Sequence, residues 1–124
     1  MNVISTKNAP SAIGPYSQAI EMNGMIFTSG QIALLPNGEL LEGDVKEQTK
    51  QVMQNLSAVL KEARASFSDV VKTTIYLSSM DDFVEVNEVY ESYLTPPYPA
   101  RSTVAVKTLP KDVKVEIDCI AIKR

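Results

Sequence analysis

The chain has 124 residues, enough for one domain with a core of its own and no need of metal or disulfide staples. Its 44% hydrophobic and 22% charged residues are the composition of a globular chain, not a disordered or membrane-spanning one. A net charge of −3 disfavours grip on phosphate backbones, and the lack of any histidine removes Ser-His-Asp and Cys-His catalysis and most zinc sites.

Met1–Lys7 contains no apolar run of the signal-peptide kind, so the cytoplasm is the default expectation. Asn23-Gly24 then separates two β-prone runs, Gln18–Met22 and Met25–Ser29. That dipeptide tolerates the positive φ angles of a type I′ turn, which predicts a hairpin. Pro36-Asn37-Gly38 marks the next turn. Asp44 can cap a first helix, with Glu47 completing a capping box. Val45, Thr49, Val52, Leu56, Val59, Leu60 and Ala63 recur at helical spacing as its buried face, while Lys46, Lys50, Lys61 and Glu62 fall mostly on the solvated side. Asn55-Leu56-Ser57 matches a glycosylation sequon, but inside this helix it reads as a chance match.

Asp69–Ser78 is a β-branched strand, with Val71, Thr73, Ile75 and Leu77 on one face and Val70, Lys72, Thr74 and Tyr76 on the other. Ser79–Asp82 caps a second helix running to about Tyr93, whose stripe is Phe83, Val86, Asn87, Tyr90, Tyr93 and Leu94. Pro96-Pro97-Tyr98-Pro99 ends it and forces an extended entry into the next strand. Arg101–Lys107 and Val113–Ile122 are the last two strands. The order predicts a single α+β domain over residues 1–124, a mixed sheet with two helices on one face. The other face still carries Val, Ile, Thr and Tyr side chains, and an uncovered apolar surface of that kind predicts a homo-oligomer.

Several residues carry possible chemistry. Arg101 sits at the mouth of a strand after a stiff turn, where its planar fork matches a carboxylate; a surface salt bridge is the plainer reading. Glu116 alternates outward with Asp118, so it is either a proton-trading carboxylate or simply part of a polar face. Asn87 is an amide on an apolar stripe, placed either to tie helix to sheet or to reach a ligand. Tyr16 lies in the rigid Gly14-Pro15-Tyr16 loop, and Ser29-Gly30 ends a strand where backbone can approach a ligand closely. Cys119, the one cysteine, leaves no intrachain disulfide and reads as a small core residue.

Together these segments resemble the RidA (YjgF) family. The resemblance is carried by Ala12–Ala19, Ser29–Ile32, Gln48-Thr49, Asp69–Thr74, Asp82-Phe83 with Val86-Asn87, Pro99–Ser102 and Val115–Ile117, in unbroken order from about Asn8 to the C-terminus. It implies a chorismate-mutase-like fold, a homotrimer with clefts between subunits, and a 2-iminobutanoate/2-iminopropanoate deaminase that needs no cofactor. Small 2-imino acids would be the substrates. By the family pattern Arg101 binds the substrate carboxylate, while Glu116 and the backbone carbonyl of Thr103 direct water at the imine carbon. Tyr16, Ser29, Gly30 and Asn87 line the pocket. Many members have cysteine where this chain has Thr103, and Ala65-Ser66 replaces a frequent Ala-Gly. The competing readings are a ligand-responsive regulatory protein using the same clefts, a catalytically silent trimer, and a ribonuclease. The acidic charge and missing histidine give the last of these little support.

Overall fold

The computed structural model describes residues 1–124 throughout. Six strands, β1 (Asn2–Ile4), β2 (Ala19–Met22), β3 (Met25–Thr28), β4 (Val70–Leu77), β5 (Ala100–Ala105) and β6 (Val115–Ile122), form one sheet in the order β1-β2-β3-β6-β4-β5. Every neighbouring pair is antiparallel except β4 with β5. Two helices, α1 (Val45–Glu62) and α2 (Phe83–Ser92), pack on one another and cover one face; α2 is the crossover that lets β5 run parallel to β4. The expected mixed sheet with two helices on one face is the fold observed.

Local chemistry explains the boundaries. Asn23 and Gly24 both have positive φ, 53° and 79°, as the type I′ turn between β2 and β3 requires. Both halves of the capping box at α1 are made: the Asp44 carboxylate accepts from the Glu47 N–H at 2.9 Å, and the Glu47 carboxylate accepts from the Asp44 N–H at 3.4 Å. The core joins Val52, Leu56, Val59 and Leu60 of α1 and Val86 of α2 to Ile75, Leu77, Val115, Ile117 and Ala121 of the sheet. Asn55 is buried in it, with its amide donating to the carbonyls of Ile32 and Leu34 at 3.2 and 2.9 Å. The sequon asparagine is therefore structural: it pairs the Leu34 carbonyl and adds a second donor at the Ile32 carbonyl, which also accepts from the Leu34 N–H at 2.8 Å.

Three expectations change, and one strand is added. β1 is not legible in the sequence, since three residues are too few to show a period; it pairs Val3 with Ile20 and Ile4 with Ala19. Val71 does not share the inner face of Thr73, Ile75 and Leu77. A register shift between Val70 and Lys72 turns Val70 inward and leaves Val71 exposed, as a bulge does. Ser79 caps a 3-10 turn over Met80–Asp82, accepting from the Asp81 N–H at 3.1 Å, and α2 itself starts after Asp82 without a side-chain cap. β5 ends at Ala105, and β6 starts only at Val115 because Pro110–Asp112 forms another 3-10 turn, with Lys111 and Asp112 at positive φ.

The face without helices is apolar and wet. Val3 is 64% exposed, Met22 51%, Phe27 42% and Val104 44%. Cross-strand register places these side chains on the same side as Glu116 and Asp118, opposite the core residues Val115, Ile117 and Cys119.

Candidate functional site

Arg101 stands at the second position of β5, directly opposite Thr73 of β4, and its side chain lies against α2. Phe83, Asn87 and Tyr90 recur there at i, i+4 and i+7, so one helix face presents all three. The guanidinium carbon is 5.4 Å from the Phe83 ring centroid and 5.5 Å from that of Tyr90, and the guanidinium donates to Asn87 Oδ1. Tyr90 is itself fixed, because its hydroxyl shares a buried 2.7 Å hydrogen bond with Thr73 Oγ1. Burial holds the Tyr90 proton more tightly than usual, while the Thr73 bond and the Arg101 charge oppose that. The result is a cation held between two rings and an amide in a position that no carboxylate of the chain occupies.

This group opens onto a cleft of about 380 Å³ lined by Asn87, Tyr90, Glu91, Tyr98, Pro99 and Arg101. Of the two readings of Asn87, the structure shows the tie between helix and sheet, since its partner Arg101 is a side chain of β5. Thr103 follows two residues later on the same face, opposite Ile75. Its Oγ1 is buried without a hydrogen-bond partner.

Glu116 lies elsewhere. It sits on the open face of β6, opposite Tyr76 of β4, and its carboxylate rests directly on the backbone of Gly30. A Cβ added at Gly30 would come within 2.3 Å of Glu116 Oε2 and 2.7 Å of its Cδ, so only glycine admits this arrangement. Burial raises the Glu116 carboxyl above its ordinary value, and the neighbouring Asp118 adds to the effect. The Gly30 segment is pinned by Gln31, whose N–H donates to the Ile117 carbonyl at 2.9 Å and whose carbonyl accepts in return at 3.1 Å.

Tyr16, Ser29 and Gly30 share with Glu116 a second cleft, of about 580 Å³. The Tyr16 loop is held from beneath. Ser29 Oγ donates to the Ser17 carbonyl at 2.5 Å, while buried Gln18 accepts from the Thr6 N–H at 2.7 Å and donates to the Pro10 carbonyl at 2.7 Å. The Ser29 hydroxyl thus already serves the loop.

The two clefts have no lining residue in common. Arg101 faces the helices and Glu116 faces away from them, with the sheet between. A single chain therefore brings together Arg101 with Asn87, and Glu116 with Tyr16, Ser29 and Gly30, but not the one set with the other. Sequence reasoning missed the role of Phe83 and Tyr90 around Arg101, although their spacing with Asn87 was the available signal. It also missed Gln18, whose burial nothing local announces. Cys119 is buried, its thiol pushed up to about 12 chiefly by that burial, and it is a core residue as expected. No helix is long and apolar enough to cross a membrane.

Residues 6–123 match the family described as Endoribonuclease L-PSP. The chain is 52% identical over 122 residues to a RutC family protein of Pyrococcus abyssi, covering 98% of this chain and 96% of that one. It is 44% identical over 124 residues to the 2-iminobutanoate/2-iminopropanoate deaminase of Salmonella typhimurium, covering 98% and 97%. Among solved structures, E. coli TdcF with bound serine superposes with a TM-score of 0.94 at 41% identity and full coverage of both chains.

Proposed function

The chain belongs to the RidA/YjgF/RutC family, and on that premise we propose that it hydrolyses reactive 2-imino acids, and the enamines that feed them, to 2-keto acids and ammonia. The observation that carries this reading is the caged Arg101, a guanidinium without an internal counter-ion, aimed into a cleft of small-molecule size. A planar fork in that state suits a carboxylate, the one group shared by every 2-imino acid.

The active unit in this reading is a homotrimer. The Arg101 cleft of one protomer meets the Glu116 cleft of its neighbour, so each site draws on two chains. Two observations support it: the exposed apolar residues on the open sheet face, and the division of the site residues between two separate half-sites.

Arg101 binds the substrate carboxylate and sets the imine carbon in place. Glu116 takes a proton from water as the oxygen attacks that carbon, the C=N electron pair moves to nitrogen, and Glu116 passes that proton to the nitrogen. The resulting carbinolamine collapses: its hydroxyl gives its proton to Glu116, the C=O bond forms, the C–N bond breaks, and Glu116 hands this second proton to the nitrogen, which leaves as ammonia. The backbone carbonyl of Thr103 orients the water, and Tyr16 closes the pocket. The substrate is already electrophilic, so orientation and one proton carrier account for the chemistry.

The test generates 2-aminoacrylate with a serine dehydratase and follows pyruvate release. Acceleration proportional to the added protein is the expected result. Unchanged pyruvate release at every ratio would leave the ligand-sensing reading in its place.

A further inference from the structure

The Arg101 cleft holds a second charge. Glu91 lies one helical turn beyond Asn87 on α2, so it shares that helix face and lines the same cleft of about 380 Å³. Arg101 and Glu91 are the two charged residues among the six that line it. They do not pair with each other, and none of the chain's three ion pairs involves either one. Arg101 is instead kept at Asn87 and between the Phe83 and Tyr90 rings. Glu88 on the same helix makes the contrast, because Lys46 of α1 matches its carboxylate at 2.9 Å. Glu91 is left exposed with no such cation.

We propose that Glu91 is a specificity-determining residue, which fits this cleft to 2-imino acids with an uncharged or cationic side chain and turns away those with a second carboxylate. The inference deepens the reading above by naming the substrate class of the same site, and it rests on Arg101 taking the substrate carboxylate. Asn87 marks where the guanidinium is held, and Glu91 is four residues further on, about 6 Å along the helix axis. A small acid gripped at Arg101 extends its chain into the remaining volume. A carboxylate at the far end of that chain enters the field of Glu91, in a cleft that offers it no further cation. Like charges a few ångströms apart at a solvent-reached surface cost several-fold in affinity. An alkyl end carries no such cost, and Tyr98 and Pro99 give it apolar surface. For the acid's first carboxylate the planar fork of Arg101 outweighs the more distant Glu91. Discrimination of this kind works by repelling the wrong acid and needs no better contact to the right one.

The experiment measures binding of two stable 2-oxo acids, 2-oxopentanoate and 2-oxoglutarate, to the full chain by isothermal titration calorimetry. Both offer Arg101 a carboxylate on a chain of the same carbon count, and only 2-oxoglutarate adds a second one. Wild type should bind 2-oxopentanoate more tightly. Glu91→Gln should narrow the ratio of the two Kd values by about fivefold, and Glu91→Lys should narrow it further or invert it. Added salt should shrink the difference between wild type and Glu91→Gln, as it does for charges that solvent can reach. Tighter binding of 2-oxoglutarate by wild type, or one ratio shared by all three proteins, overturns the proposal. The pyruvate assay keeps the two readings apart. A Glu91-dependent ratio without faster pyruvate release would refute hydrolysis and uphold the charge filter, whereas faster release with an unchanged ratio would refute the filter alone.

Discussion

The two half-sites solve opposite problems. Around Arg101 the fold restricts a long, flexible cation: two rings, an amide and the Tyr90–Thr73 bond hold it in one place. Around Glu116 the fold does little to the side chain beyond clearing space for it over Gly30, and acts instead on its proton affinity through burial and Asp118. A group that binds gains from losing its freedom before the ligand arrives. A group that moves protons gains from an affinity matched to its task. The carboxylate grip is thus a matter of geometry, and the water-activating half a matter of electrostatics.

Substitutions can break this contrast, starting with the largest effect. Arg101→Lys should cost about 100-fold in kcat/KM, because an ammonium offers neither the planar fork nor the fit between Phe83 and Tyr90. A loss of less than twofold in steady-state rates would move the carboxylate grip to another residue. Gly30→Ala comes next. Its Cβ would collide with the Glu116 carboxylate, so kcat should fall roughly tenfold through misplacement while KM stays near the wild-type value. A rise in KM alone would instead place Gly30 against the substrate. The smallest effect is expected from Thr103→Val. If only the backbone carbonyl serves the reaction, rates should hold, and loss of the unpartnered hydroxyl should raise the thermal midpoint by a few degrees, equivalent to about 1 kcal/mol. A large drop in rate would assign the hydroxyl itself a role.

Much of this fold is legible from local chemistry. The Asn23-Gly24 turn, the Asp44–Glu47 capping box and the helical stripe of α1 each follow from interactions within a few residues, and each is present. The bulge at Val70–Val71 is not, because the alternating pattern runs through it unbroken and only pairing with β6 shifts the register. Gln18 shows the same limit: an amide next to a hairpin looks like a surface group until Thr6 and Pro10 fold over it.

The site divides in the same way. Arg101, Glu116, Asn87, Tyr16, Ser29 and Gly30 could be singled out from residue type and family pattern, since the chemistry of a fork, a carboxylate or a glycine belongs to the residue. What each side chain does there depended on partners distant in sequence. Asn87 serves Arg101, the Ser29 hydroxyl serves the Tyr16 loop, and the space left by the missing Cβ of Gly30 is filled by Glu116. By itself the sequence determined the helix and hairpin boundaries that hydrogen bonding within a few residues can settle. Only the tertiary structure decided that Arg101 and Glu116 face away from each other, because the side of a sheet to which a residue points depends on the register of strands far apart in the chain.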